Sequence, residues 1–386
     1  MLFFLDIGLS FVQIGTLYAA REIMVNLAEI PSGLVADTLG RRYTMVVSFF
    51  AYVVSFVMFY FSQQYWMLFF AMAAYAGGDA FRTGTHKAMI FDYLNVHSWQ
   101  HLRAHYYGHT RSWSQRGSAV SALIAAGLVF WQGSYAPVFL FTIIPYTLDL
   151  LLILSYPRYL DGPRHTSTRT VRDEFAHVLR SLAVTLRDRS AVRAIGNQAL
   201  FSGYFKACKD YLQPILRTFA LGLPVMMAIS GEERTALVTG AVFSVIYGIA
   251  AVTSRRAGAV VDVFKGNAAV PLNGILVVGA IVGVGSGIAY NSTLSASAVV
   301  LFLGMYGLES LRKPIGISYV TERVDAGSLA TALSVEAQAE TLVAAVLALV
   351  LGIIASVAGL GVGLAVIGGV VLLLGALFRL PRSSPA

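Results

Sequence analysis

Long apolar stretches alternate with short polar breaks along the whole chain. The apolar stretches reach about 20 residues, the length a helix needs to cross a hydrocarbon core about 30 Å thick. They fall near 11–36, 43–61, 66–94, 104–131, 136–156, 191–218, 235–254, 268–289, 294–320, 328–356 and 360–378. The period-2 alternation of a strand barrel is absent, so each stretch is read as a helix that satisfies its own backbone within the bilayer. The pattern predicts an all-α polytopic membrane protein with about eleven full spans. Residues 1–8 read as the tail of one more helix, whose earlier part would fall before Met1.

Composition agrees: 57% of the residues are hydrophobic and 12% are charged, about half the charge of a soluble domain. The single cysteine, Cys208, excludes an internal disulfide. A net charge of +8 raises the question of nucleic acid, but its distribution answers no. Arg158, Arg164, Arg169, Arg172, Arg180, Arg187 and Arg189 crowd the loop 157–190, and Arg41, Arg42, Arg103, Arg255, Arg256, Lys265, Arg323, Arg379 and Arg382 lie at span ends on the same side. Only Arg234 and Arg217 mark the opposite side. This positive-inside asymmetry puts the central loop and the C-terminus in the cytoplasm of a multi-pass protein of the inner (plasma) membrane. Within the loop, Phe175, Val178, Leu179, Leu182 and Leu186 recur at helical spacing and predict an amphipathic helix at the interface. The expected organisation is an N-terminal bundle at 1–156, a linker at 157–190 and a C-terminal bundle at 191–386.

The segment Gly33-Leu34-Val35-Ala36-Asp37-Thr38-Leu39-Gly40-Arg41-Arg42 joins two spans, and its small and acidic positions recur as Gly258, Asp262 and Gly266. Gly15 with Gly240, Lys87 with Lys313 and Tyr93 with Tyr319 share the same offset of 225 or 226. A shared offset across several pairs signals duplication. The pattern G-x-x-x-D-x-x-G-R-R between spans resembles the signature loop of the major facilitator superfamily of secondary transporters. The resemblance implies two pseudo-symmetric six-helix bundles, the first here with a truncated first helix, which work by alternating access. It further implies a gate built from Gly33, Asp37, Gly40, Arg41, Arg42, Asp92 and the second-half Asp262. In that gate Asp37 meets the start of the eleventh helix near Gly327 and Ser328, and Arg41 or Arg42 pairs with Asp92.

Ionisable groups at membrane depth are costly and tend to face polar cavities. At about 100° per residue, they gather into stripes on three helices. One holds Tyr75, Asp79, Arg82, His86 and Tyr93; the second holds Ser202, Lys206, Lys209, Asp210, Gln213 and Arg217; the third holds Glu309, Arg312, Lys313 and Gly316. The resemblance makes these the fourth, seventh and tenth helices, which line the family's central path. Pairing within a helix is the bland reading, since Asp79–Arg82, Lys206–Asp210 and Glu309–Lys313 have i,i+3 or i,i+4 spacing. It leaves Lys209, Arg217, Arg312 and His86 over, and surplus cations favour a small organic substrate with an anionic group. Asp210, just before Pro214, is the first candidate for a coupling proton, with Asp79 and Glu309 after it.

Arg82 to Leu94 resembles the fourth-helix motif of drug-exporter-like members, which often carry an acidic pair where this chain has His86-Lys87. This branch implies proton-coupled efflux. The Gly-Pro motif of the antiporter fifth helix is absent from 117–131, so the motif does not fix direction. His97, His101, His105 and His109 recur every four residues, a spacing that can bind a transition metal. With Trp99, Tyr106, Tyr107 and Trp113 among them, an interfacial aromatic belt is the preferred reading, and a transporter of a metal or metal chelate is an alternative. The Gly279, Gly283, Gly287 ladder reads as packing within the bundle of a monomer. No phosphate loop, metalloprotease helix or nucleophile elbow is present, so neither an enzyme nor a cofactor is expected. A degenerate member serving as receptor or assembly scaffold is the other open class.

Overall fold

The computed structural model describes residues 1–62, 64–99, 103–161, 189–224, 229–321 and 329–381; no strand occurs among them. The helices are α1 (Leu2–Asp6), α2 (Phe11–Leu39), α3 (Arg41–Phe61), α4 (Tyr65–Val96), α5 (Arg103–Gln132), α6 (Ala136–Leu154), α7 (Arg189–Cys208), α8 (Leu212–Gly222), α9 (Gly231–Arg255), α10 (Ala257–Val263), α11 (Ala269–Asn291), α12 (Ser295–Thr321), α13 (Leu329–Ala358) and α14 (Leu360–Leu377). Among the described residues α3, α6, α9, α11, α13 and α14 are long and apolar enough to cross a membrane by composition alone. The other long helices, α2, α4, α5 and α12, carry ionisable residues along their length.

Local chemistry sets the breaks. The chain reverses between α2 and α3 at Gly40, whose φ of +97° suits a residue without a Cβ. Gly266, its counterpart in the repeat, adopts a φ of +78° after α10. The duplication read from the sequence therefore recurs in the backbone. At the start of α9, Ser230 Oγ accepts from the Glu233 amide and Glu233 accepts from the Ser230 amide, a complete capping box. The span expected at 191–218 is two helices. α7 stops at Cys208, a 3-10 turn covers Lys209–Tyr211, and α8 begins at Leu212. Pro214 lacks the N–H that would have bonded back into that turn.

Two compact units result. One comprises Ala20–Gly117 and Ser134–His177. In it α3 packs between α4 and α6, drawn close by small residues. Ser48 Oγ donates to the Gly78 carbonyl at 2.6 Å and Ser55 Oγ to that of Ala71 at 2.8 Å. The other unit comprises Met1–Ala19, Ser118–Gly133 and Val178–Ala386. The opening of α2 and the second half of α5 thus group with the C-terminal helices, not with the rest of 1–156. Here α7 lies against α12 and α13, and α11 against α12 and α14. The glycine ladder is internal to this unit: Gly279 faces Phe201, Gly283 faces Tyr204, and Gly287 meets Gly361. Leu342, Val357, Leu373 and Leu377 point outward and are well exposed, as lipid-facing side chains require. The amphipathic segment Phe175–Leu186 lies outside the described residues.

Candidate functional site: a polar cluster in each unit

In the unit that begins at Ala20, the α4 stripe is organised around a residue of α3 that helical counting had not singled out. Tyr52 is 1% exposed. Its hydroxyl donates to Asp79 Oδ1 at 2.7 Å and accepts from Arg82 Nε at 3.1 Å. Arg82 Nη2 closes the triangle on Asp79 Oδ1 at 3.2 Å. The expected Asp79–Arg82 pair is therefore formed, with a phenol at its centre. Tyr75 and Tyr146 meet the Tyr52 ring edge-on, both at 5.1 Å between centroids. The result is an aromatic wall around an ion pair at membrane depth. Ser48, Tyr52 and Ser55, spaced i, i+4, i+7 on an otherwise apolar helix, were the sequence signal for it. Elsewhere in the unit, Glu22 is met by its neighbour Arg21 at 2.7 Å.

In the C-terminal unit the centre is Arg312 of α12, which has no exposed surface. Its Nη1 donates to Gln198 Oε1 at 2.7 Å; its Nη2 donates to Asn197 Oδ1 at 2.6 Å and to the Asn197 carbonyl at 2.9 Å. Phe201 lies under the guanidinium at 5.0 Å. From Gln198 the chain of bonds continues through Ser202 Oγ, at 3.3 Å, to Glu309 Oε1 at 2.9 Å. Two neutral amides of α7 thus solvate the cation, while Glu309 and Glu336 act on it electrostatically from farther away. Glu309 Oε2, Glu336 Oε1 and Arg312 Nε are buried without a hydrogen-bond partner among the described residues. The i,i+4 expectation for Glu309 and Lys313 is corrected: Lys313 pairs with Glu340 of α13 at 3.5 Å, and Glu309 faces α7. The reason is that a helical stripe also meets its neighbours' side chains, which single-helix spacing ignores.

The α7–α8 break holds the remaining stripe residues. Lys206, Lys209 and Asp210 are half-buried there. The side chains of Lys209 and Asp210 make no hydrogen bond or ion pair with the described residues. Tyr306 donates at 3.0 Å to the carbonyl of Lys209, which also accepts from the Leu212 amide that closes the 3-10 turn. Gln213 accepts from the amide of Leu2 at 3.1 Å, so it anchors α1. His86 is exposed on α4.

Of the gate residues, Arg42 donates to the Tyr156 carbonyl at 2.8 Å, and Asp262 is exposed. The side chains of Gly33, Asp37 and Asp92, and residues Gly327 and Ser328, lie outside the described residues. So do the side chains of His101 and His105. His97 Nδ1 is 2.9 Å from the Tyr93 carbonyl, and the ring lies 4.3 Å from that of Tyr93. His109 Nε2 accepts from Trp113 Nε1 at 3.0 Å. His97 and His109 are each engaged with an aromatic neighbour. A cavity of about 550 Å³, bounded by Arg193, Asn273, Arg379 and Leu380, opens at the end of α14 and contains none of the stripe residues.

A helical membrane bundle with an interrupted helix and charged clusters on three helices has the architecture of a secondary transporter of small solutes. The chain belongs to the Major Facilitator Superfamily, whose family model matches residues 2–336. Among solved structures it is similar to the nucleoside transporter NupG, with a TM-score of 0.72 at 13% identity, covering 97% of this chain and 91% of that one. It is also similar to a POT family transporter in complex with a thioalcohol-conjugated peptide, with a TM-score of 0.74 at 13% identity, covering 96% and 88%. At such identities the likeness carries the fold. No curated protein matches the chain in sequence.

Proposed function

We propose that this superfamily member couples the movement of a small organic solute to a proton, and that Glu309 carries that proton. The observation behind this is the pair of buried carboxyl oxygens, Glu309 Oε2 and Glu336 Oε1, left without hydrogen-bond donors among the described residues beside Arg312. Burying an unsatisfied ionised oxygen costs several kcal/mol, and a proton on the carboxyl removes that cost. A carboxyl so placed can load and release a proton as its surroundings dry and hydrate. Asp79 is a weaker candidate because Arg82 and Tyr52 already hold its charge. Asp210 makes no bond with the described residues, which leaves it a substrate-side role at the break in the seventh family helix.

The substrate we infer carries an anionic group and an apolar or aromatic body. Lys209, with no acidic partner among the described residues, supports the first, and Tyr306 with Phe205 beside the α7–α8 break of the same unit supports the second. From the charge asymmetry we place the C-terminus on the cytoplasmic side of the inner membrane. The likeness of Arg82–Leu94 to the exporter motif favours efflux over uptake, and the glycine ladder packed inside the C-terminal unit favours a monomer. The test is solute accumulation in liposomes containing the purified protein, with a pH step imposed and a panel of anionic, neutral and cationic aromatic solutes supplied. The reading predicts pH-driven movement of anionic members. Movement that ignores the pH step, or that is restricted to cations, would reject it.

A further inference from the structure

The hydrogen bonds around Arg312 do not stop at α7. After α14 the chain runs on through Phe378, Arg379, Leu380 and Pro381 as a short strap, and side chains from within the bundle grip its backbone. Asn273 of α11 does so twice: its Nδ2 donates to the Leu380 carbonyl at 2.9 Å, and its Oδ1 accepts from the Leu380 amide at 3.0 Å. Asn197 Nδ2 donates to the Phe378 carbonyl at 3.0 Å and reaches Asn273 Oδ1 at 3.4 Å. The Phe378 ring lies against Gly196, where a Cβ would collide with it, and the Leu380 side chain is 3% exposed in the cluster with Ala194, Ile195 and Leu272. The strap is therefore seated in the unit, and Asn197 is the residue it shares with Arg312.

The chemistry of an amide makes that sharing directional. A primary amide has one donating and one accepting end. The strap carbonyl of Phe378 takes the donating end of Asn197. That leaves Oδ1 turned toward Arg312 Nη2, where the bond measures 2.6 Å. Without the strap, nothing else described holds Nδ2 except the longer contact to Asn273, and that side chain is itself positioned by Leu380. A flipped amide would present N–H to a buried guanidinium, which has no accepting atom.

We propose that Asn273 and Asn197 are positioning residues through which the docked strap sets the placement of Arg312, and with it the Gln198–Ser202–Glu309 chain. The consequence for transport rests on the proton role of Glu309 proposed above; the positioning itself does not. It would let whatever displaces the strap disturb the polar cluster from the end of the bundle.

The experiment reads both ends of the relay in the full-length protein. Strap seating is read by maleimide labelling of a cysteine introduced by Leu380→Cys in a Cys208→Ser background. Arg312 is read by ¹⁵N spectra of arginine-labelled protein, in which its Nη signals are assigned by their loss in Arg312→Lys. The expected result is that Asn273→Ala makes the strap cysteine reactive and collapses the resolved Nη signals of Arg312 into one exchange-averaged signal. Asn197→Asp, which binds the guanidinium by charge and needs no strap, should keep those signals resolved even alongside Asn273→Ala. A chain ending at Leu377 should repeat the Asn273→Ala spectrum without altering α11. An unseated strap with unchanged Arg312 signals overturns the proposal, as does a strap that Asn273→Ala leaves seated. Neither result bears on whether Glu309 carries a proton, which solute-linked proton flux tests separately.

Discussion

Gly15 of α2 crosses Gly352 of α13 backbone to backbone: a Cβ on Gly15 would lie 3.0 Å from Gly352 Cα and 2.8 Å from the Ala348 carbonyl oxygen. The repeat reproduces this contact. Gly240 stands 225 positions after Gly15, and a Cβ there would meet Ala126 Cβ at 2.5 Å and the Ala122 carbonyl oxygen at 3.0 Å. Ala122 and Ala126 are in turn 226 positions before Ala348 and Gly352. One helix crossing, built from small residues that let backbones approach, has been kept in both copies.

Enlarging either crossing should therefore cost the same. Gly15→Val and Gly240→Val are each expected to destabilise the protein by about 1–3 kcal/mol, the range for overpacking. Gly77→Val on α4 is the control, because nothing lies within 4 Å of its Cβ position. Unfolding midpoints in detergent check this. Equal losses at all three positions would show that the crossings are not tight.

Tyr52→Phe keeps the ring packing and removes the hydroxyl that links Asp79 to Arg82. Hydrogen bonds to charged groups are worth about 1.5–3 kcal/mol, so a loss in that range is expected. The Asp79–Arg82 pair is itself partly exposed, at 31% and 45% of the two side chains, and contributes under about 1 kcal/mol. A double-mutant cycle should accordingly find stronger coupling between Tyr52 and Asp79 than between Asp79 and Arg82.

Arg312→Met should be among the most damaging single changes in the C-terminal unit. It strands the acceptors of Asn197 and Gln198 and removes one of the two cations, Arg312 and Lys313, whose charges act on Glu309 and Glu336. Breaking such a buried arrangement costs about 3–5 kcal/mol. Arg312→Met with Glu309→Gln should recover part of that loss, because the uncompensated acid is removed as well. Thermal unfolding of the single and double variants measures the recovery; a double variant as unstable as the sum of the singles would contradict it.

The sequence carried the spans well because hydrophobic length is a one-dimensional property. The stretch expected at 43–61 is the helix Arg41–Phe61, and that at 360–378 is Leu360–Leu377. The break before Pro214 was not legible as such: the apolar pattern reads 191–218 as one span, and proline marks only a weak point within it. Partners across helices were not legible either. Counting along α12 offered Glu309 to Lys313, whereas the fold gives Lys313 to Glu340 and Glu309 to Ser202. Tyr52 escaped notice because a tyrosine in an apolar helix has no charge to mark it. Asn197 and Asn273 escaped because a neutral amide becomes informative only when its two ends are seen to face different partners.

Proton coupling at Glu309 is the centre of this account, and proton flux tests it most directly. Liposomes containing the purified protein are loaded with a pH-sensitive dye, and each solute of the anionic, neutral and cationic panel is added outside. Wild type is expected to show a proton flux that appears only with a transported solute. Glu309→Gln is expected to abolish that flux while solute-for-solute exchange persists. A Glu309→Gln protein whose solute-linked proton flux matches wild type would contradict the account.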